Sequence, residues 1–202
     1  MKRSEINTII QDARAFATAF QRALPLWSNW QIPDYVENPD VARFVKRRQM
    51  GWDITDFGSG NFAECGLTLL CLRNGIQGDA SERPYAEKML IVRELQETPF
   101  HLHKVKLEDI INCGGGNLMI EFLHATEADR ASPVDVMSDG RKIRLNPHEP
   151  LRLKPGESVT VERGVYHRFY AEAGTGKSLA WEVSQVNDDF TDNYLIVSQG
   201  VV

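Results

Sequence analysis

The chain has 202 residues, enough for one generous domain. Its 42% hydrophobic and 25% charged residues are ordinary for a globular protein. Lysine and arginine number 23 against 28 aspartates and glutamates, a net charge of −5, which argues against nucleic-acid phosphates or an anionic membrane surface as the main partner. Three cysteines, Cys65, Cys71 and Cys113, are too few for a disulfide framework and fit a reducing, cytoplasmic compartment. The basic pair Lys2-Arg3 has no apolar core behind it, so no secretory signal is expected. The longest apolar run, Leu67 to Leu72, is far too short to span a bilayer.

From Ser4 to Ala23, Ile6, Ile9, Ile10, Ala13, Phe16, Ala17 and Phe20 recur at helical spacing. This predicts an amphipathic helix capped by Ser4 and stopped before Pro25. A second helix is predicted from Pro39 to about Arg48, with Asn38 as its cap. Lys46, Arg47 and Arg48 there read as a solvated helix face, with a polyanion site as the sharper alternative. After Gly51 the helical period disappears. Strands are predicted at 67–72, 88–95, 100–105, 118–124, 134–137, 142–145, 158–161, 166–171 and 179–186. Turn signals separate them: Asn74-Gly75, Gly114-Gly115-Gly116-Asn117, Asp139-Gly140, Pro155-Gly156 and Gly174-Thr175-Gly176. Asp139-Gly140, between two alternating runs, is the strongest hairpin signal. No repeat or linker interrupts the chain. The expected fold is all-β: one domain with a helical layer over residues 1–50 and a β-barrel over 60–200.

Of five histidines, His101 and His103 stand at i and i+2, so a strand would send both imidazoles to one face. Glu108 follows after a stretch long enough to bend and return a carboxylate, and His167 sits on another predicted strand. Three imidazoles and a carboxylate suit a divalent Mn, Fe, Co, Ni or Zn ion with positions open to water or substrate. An HxH pair alone is more often two ordinary histidines; Glu108 and His167 in this context change that balance.

His101-x-His103-x4-Glu108-x6-Gly115 and Gly156-x5-Glu162-x-Gly164-x2-His167 resemble the paired motifs of cupins. The resemblance implies a jelly-roll barrel holding a metal on His101, His103, Glu108 and His167. The sequence departs from the cupin pattern at Leu95, where glycine is usual, at Glu162, where proline is usual, and at Ala171, where asparagine is usual. These are turn and packing positions.

A narrower resemblance runs through 88–94, 98–103, 106–112, 114–118, 155–158, 164–167, 182–184 and 186–193. These segments, among them Thr98-Pro99-Phe100-His101-Leu102-His103 and Val186-Asn187-Asp188-Asp189, resemble the D-lyxose isomerase family. That implies a manganese-preferring homodimer interconverting D-lyxose with D-xylulose and, more slowly, D-mannose with D-fructose.

Such a reaction moves hydrogen between C1 and C2 while two oxygens exchange carbonyl and hydroxyl character. It needs an electrophile for the oxygens and a base for the C2 proton. Glu182 is the leading base, since strand alternation sets it opposite Trp181 and Val183; its bland role is an outward glutamate. Lys106 can hydrogen-bond a sugar oxygen or a developing oxyanion, against the bland reading of a solvated loop lysine. Lys88 points towards the same family site, and Asp189 is placed to close over the sugar or relay a proton between O1 and O2, unless it is simply a turn aspartate. Phe169 shares strand parity with His167 and is a candidate pocket wall. Core packing is the ordinary role for Trp27, Trp30, Trp52 and Trp181; Trp27 and Trp181 stand as candidate sugar-facing rings. His124 reads as structural, His148 as a surface loop residue, and the triple glycine as a turn rather than a phosphate cradle. Competing functions are an Fe(II) cupin dioxygenase, a non-catalytic sugar-binding cupin and a phosphosugar isomerase. No phosphate-binding constellation is visible, which favours a neutral sugar.

Overall fold

The computed structural model describes residues 1–196. Two antiparallel sheets face each other. Eight strands in the order β1-β2-β3-β12-β5-β10-β7-β8 make the larger sheet, and β13-β4-β11-β6-β9 make the smaller one. The strands are β1 (Gly51–Thr55), β2 (Leu67–Arg73), β3 (Tyr85–Val92), β4 (Thr98–Leu102), β5 (Glu108–Gly115), β6 (Leu118–His124), β7 (Val134–Ser138), β8 (Arg141–Leu145), β9 (Leu151–Leu153), β10 (Ser158–Val161), β11 (Val165–Ala171), β12 (Ser178–Gln185) and β13 (Tyr194–Leu195). Leu69, Leu90, Ile110 and Ala180 from the larger sheet pack against Ile120, Phe122 and Phe169 from the smaller one in a common interior core. This is the expected β-barrel of cupin type. No helix among the described residues is long and apolar enough to cross a membrane.

Helix α1 (Arg3–Ala19) lies on the outer face of the larger sheet. Its fully buried Ala13 and Ala17 let the helix approach Leu70, Leu72, Met89, Ile91 and Leu179. The helix starts earlier than Ser4 suggests, because the Glu5 carboxylate reaches back to accept from the Lys2 amide at 2.6 Å. It also ends well before Ala23, at Phe20. Phe16 and Phe20 then rest on β5: a Cβ on Gly114 would meet the Phe20 ring at 2.4 Å, and one on Gly115 would meet the Lys177 carbonyl oxygen at 2.3 Å. The glycines therefore serve close packing.

Two short helices follow, α2 (Ile32–Glu37), which the sequence pattern did not predict, and α3 (Pro39–Arg47). Asn38 does not cap α3 with its side chain; its amide donates instead to the Asp34 carbonyl at 2.8 Å, closing α2. Two members of the basic run pair locally, with the Arg48 guanidinium forked onto Glu82 and Arg47 3.9 Å from Asp79. The Asp139-Gly140 turn is as expected: both residues have positive φ, 47° and 78°, which matches the twist of the β7–β8 hairpin. Leu95 takes φ 57°, a left-handed conformation open to glycine without cost, which accounts for glycine being usual at that cupin position.

Strands β1, β5, β9 and β13 were not predicted. β5 is the consequential omission, since it sits in the middle of the larger sheet between β12 and β10 and opens on Glu108. Its Gly-Gly end disguised it as a turn.

Candidate functional site

A cavity of about 290 Å³ opens between the two sheets. His101, His103, Lys106, Glu108, His167, Lys88, Phe169, Glu182 and Asp189 all line it, as do the unpredicted Asp53, Thr55 and Phe57. Register brings these residues together. His167 on β11 pairs with His101 on β4, and Glu182 on β12 pairs with Lys88 on β3 and Ile110 on β5. Between His101 and Thr98 the β4–β11 register slips, because Phe169 pairs with Thr98. The irregularity falls at Pro99, which has no amide to give a ladder, and it lets Thr98 and His101 reach the same cavity from an odd spacing. The strand ends at Leu102, so His103 belongs to the loop after it rather than to the longer strand expected from the sequence.

One ring nitrogen from each of His101, His103 and His167 lies within 4.8 Å of the others. In each ring Nδ1 faces a backbone carbonyl: Pro99 at 2.8 Å for His101, Asp192 for His103, and Val165 at 3.4 Å for His167. That arrangement places the proton on Nδ1 and leaves the Nε2 lone pairs free. Burial, followed by the neighbouring His167 and His103, holds His101 well below the ordinary imidazole range; burial, then Lys106, brings His103 down to about 4. Both rings are therefore neutral near pH 7.

Glu108 is buried beside this cluster. Its Oε1 is 2.9 Å from Nε2 of His167, its Oε2 is 3.8 Å from Nε2 of His103, and Oε2 is 2.7 Å from Nζ of Lys106. Burial alone would raise Glu108, but the charge of Lys106 overcomes it and holds the carboxyl well below its usual range. The contact with His167 is short but not aligned as a hydrogen bond, and Nε2 of His167 is buried without a partner. Lone pair thus faces lone pair across 2.9 Å, which is repulsive without a cation to share. The donor set and this unpartnered nitrogen fit a divalent ion of borderline softness.

Two lysines line the cavity beside this cluster. Nζ of Lys106 donates to Glu182 Oε1 at 2.8 Å and to Asn187 Oδ1 at 3.2 Å. Nζ of Lys88 donates to the same Asn187 oxygen at 2.7 Å and, more weakly, to Asp189 Oδ1 at 3.4 Å. Burial opposes the charge on Lys106, yet Glu108 and Glu182 raise its pKa above the ordinary lysine value. Asp189 is held below the usual range, burial notwithstanding, chiefly by Lys88. Asp53 is raised by burial and then by Asp189. Glu182 Oε1 also accepts from the Ser184 hydroxyl at 3.1 Å; its Oε2 accepts from none of the described residues and remains available to a ligand.

Two expectations fail. Trp181 and Trp27 do not line the cavity but pack in the apolar layer between the larger sheet and α1. Trp181 points out of the barrel because Glu182 points in; its Nε1 donates to Glu87 at 2.8 Å and Arg22 covers its ring. His124 lies outside the cavity with its Nε2 3.1 Å from the Pro133 carbonyl oxygen, and His148 is exposed. Sequence reasoning missed Asn187, which accepts from both lysines, and Asp192, which holds the loop behind His103. Both lie in the segment 186–193 whose resemblance was noted, but nothing local distinguishes them from turn residues.

Two antiparallel sheets closing on three convergent histidines define a cupin-type barrel with a candidate metal centre. Residues 1–201 match the family model described as D-lyxose isomerase, and the chain belongs to that family of aldose–ketose isomerases. It is 43% identical over 201 residues to a D-lyxose/D-mannose isomerase of Escherichia coli O157:H7, covering 97% of this chain and 88% of that protein. A D-lyxose/D-mannose isomerase of Serratia proteamaculans is 41% identical, with 96% and 86% covered. Among solved structures, the L-ribose isomerase of Cellulomonas parahominis superposes with a TM-score of 0.65 at 15% identity, covering 98% of this chain and 93% of that one. The Acinetobacter sp. DL28 L-ribose isomerase in complex with L-ribose gives 0.62 at 11% identity over the same shares. At such identity the likeness is one of fold.

Proposed function

We propose that this protein interconverts D-lyxose with D-xylulose, and more slowly D-mannose with D-fructose, using Mn²⁺ held by His101, His103, Glu108 and His167. The charge of the cavity carries the reading towards a neutral sugar. Its lining holds four carboxylates, Asp53, Glu108, Glu182 and Asp189, against two lysines, Lys88 and Lys106. One divalent cation cancels the excess of two negative charges, which leaves no surplus of positive charge to hold a sugar phosphate. A cavity of about 290 Å³ suits a single pentose or hexose.

When bound, the cation supplies Lewis acidity towards the sugar oxygens. The chain's own groups do the rest. Oε2 of Glu182 takes the proton from C2 and returns it to C1, the enediol route. Nζ of Lys106 stays charged beside Glu182 and donates to the oxygen on which negative charge develops. Lys88 orients the sugar through a neighbouring hydroxyl, Asp189 passes a proton between O1 and O2, and Phe169 presents an apolar wall to the C–H surface. The enzyme works in the cytoplasm as a homodimer. Three unpaired cysteines support the compartment, and the strongly exposed Leu26, Ile32 and Val36 of the helical layer support a protein-facing surface.

The test is Glu182→Gln in heavy water without oxygen. The wild type should turn over anaerobically with Mn²⁺ and wash deuterium into the product. The variant should keep metal content and sugar affinity while kcat falls about 10²–10⁴-fold, the usual contribution of a general base. Near-normal turnover in the variant would move the base to Asp189, and a requirement for oxygen would overturn the isomerase reading. His167→Ala should lose metal and activity together.

A further inference from the structure

We propose that Asp192 is a positioning residue for this reaction, clamping the loop between β4 and β5 so that His103, Lys106 and Glu108 enter the cavity in a single fixed arrangement. This rests on the role given above to those three side chains. The loop crosses from the smaller sheet to the centre of the larger one, so its amides have no strand ladder to join. Such amides need another acceptor when buried. Asp192 provides it. Its Oδ1 accepts from the Lys104 amide at 2.7 Å and the Val105 amide at 3.2 Å, and its Oδ2 accepts from Val105 at 3.1 Å and Lys106 at 3.0 Å. Three consecutive amides thus converge on one buried carboxylate, a set of charge-assisted bonds.

The same residue acts a second time through its main chain. The Asp192 carbonyl accepts from Nδ1 of His103, which fixes the ring orientation and the tautomer with a free Nε2. One residue therefore holds the backbone that carries Lys106 and the imidazole that precedes it. Its own carboxylate does not line the cavity, so it acts through these groups. The clamp is itself anchored on both sides. Upstream, the Asn187 amide donates to Asn74 Oδ1 at 3.0 Å, and Asn74 Nδ2 donates back to the Asn187 carbonyl at 2.8 Å. Downstream, Tyr194 and Leu195 pair with Leu102 and His101 on β4.

The experiment uses the full chain with Asp192→Asn and Asp192→Ala, and Asp139→Ala as a control. Asp139 accepts from Ser158 at the remote β7–β8 hairpin, so its loss perturbs stability away from the site. Amide hydrogen exchange is followed in metal-free protein, Mn²⁺ affinity by titration, and kcat and KM with D-lyxose. In both Asp192 variants the amides of 104–106 should exchange faster, Mn²⁺ should bind about 10–100-fold more weakly, and at saturating Mn²⁺ kcat should fall more than KM changes. The control should keep wild-type Mn²⁺ affinity. If Asp192→Ala does not fold, the near-isosteric Asp192→Asn decides. Unchanged exchange at 104–106, or wild-type Mn²⁺ affinity in folded Asp192→Asn, overturns the proposal. Should the wild type isomerise no sugar, the functional reading fails, while exchange and Mn²⁺ binding still judge the clamp.

Discussion

Strands β3 and β12 run side by side and carry opposite worlds on their two faces. Lys88 and Glu182 point into the cavity, paired in register, while the adjacent pair, Met89 and Trp181, points out beneath helix α1. The outward face is a continuous apolar patch, with Leu70, Met89, Ile91 and Leu179 almost fully buried under Ala13 and Ala17. The inward face near the mouth buries charge: Lys88, Lys106, Glu108 and Glu182 are each under 8% exposed. Period-two alternation thus divides labour between stability outside and chemistry inside. The inner charges are tolerable because each has an opposite partner, and the arrangement still leaves a negative excess and an unpartnered imidazole nitrogen for a ligand to satisfy.

Removing one inner partner should have the largest effect. Lys106→Met leaves Glu108 and Glu182 buried without their shared cation. Breaking such a cluster typically costs about 3–5 kcal/mol, to be read by urea unfolding of metal-free protein, and activity should be lost. Added Mn²⁺ should restore part of the stability but not the activity; full activity would show that the lysine serves only structure.

An outer-face cavity should uncouple the two properties. Met89→Ala empties a fully buried position under α1, and such truncations cost about 2–5 kcal/mol. The midpoint of unfolding should drop while kcat and KM below that midpoint stay as they are. A kinetic change as large as the stability change would mean that the two faces are mechanically linked.

Acid should act on the inner face first. His103 titrates at about 4 in the folded protein, against about 6.5 when unfolded. The unfolded chain therefore binds more protons between those values. The contribution of the neutral, buried His103 ring is present above about pH 6.5 and is lost as pH falls towards 4, up to about 3 kcal/mol, and the buried His101 adds to it in the same direction. Stability of the chelator-treated protein from pH 7 to 4 should follow that slope, and Met89→Ala should shift the curve down without changing its shape. An unchanged stability across this range would contradict the neutral imidazole in the metal-free fold.

Much of this was legible from short-range pattern. The stripe Ile6 to Phe20 specified a helix, Asp139-Gly140 a hairpin, and strands 118–124 and 158–161 fall where alternation put them. The spacing of His101, His103, Glu108 and His167 singled out four side chains that the fold brings to one cavity, and nine of the eleven candidate side chains line it. Trp181 could have been excluded without coordinates, since neighbours on one strand cannot both face the lumen and Glu182 already did.

What the sequence determined by itself was local: period, turns and the chemistry of the ligand types, all set by steric and hydrogen-bonding rules over a few residues. The tertiary structure decided which face of each strand became lumen. It made a central strand of the glycine-ended segment Glu108–Gly115 and gave β1 a wall position with Asp53 and Thr55. It also turned Asn187 and Asp192 from ordinary turn residues into the supports behind Lys88, Lys106 and His103. Those assignments depend on groups brought together across 80 and more positions of chain, such as the Asp192 carboxylate and the Lys104 amide at |i−j| = 88. A local pattern carries no record of such a pairing, because the amide's need for an acceptor arises only when the closing barrel removes water from it.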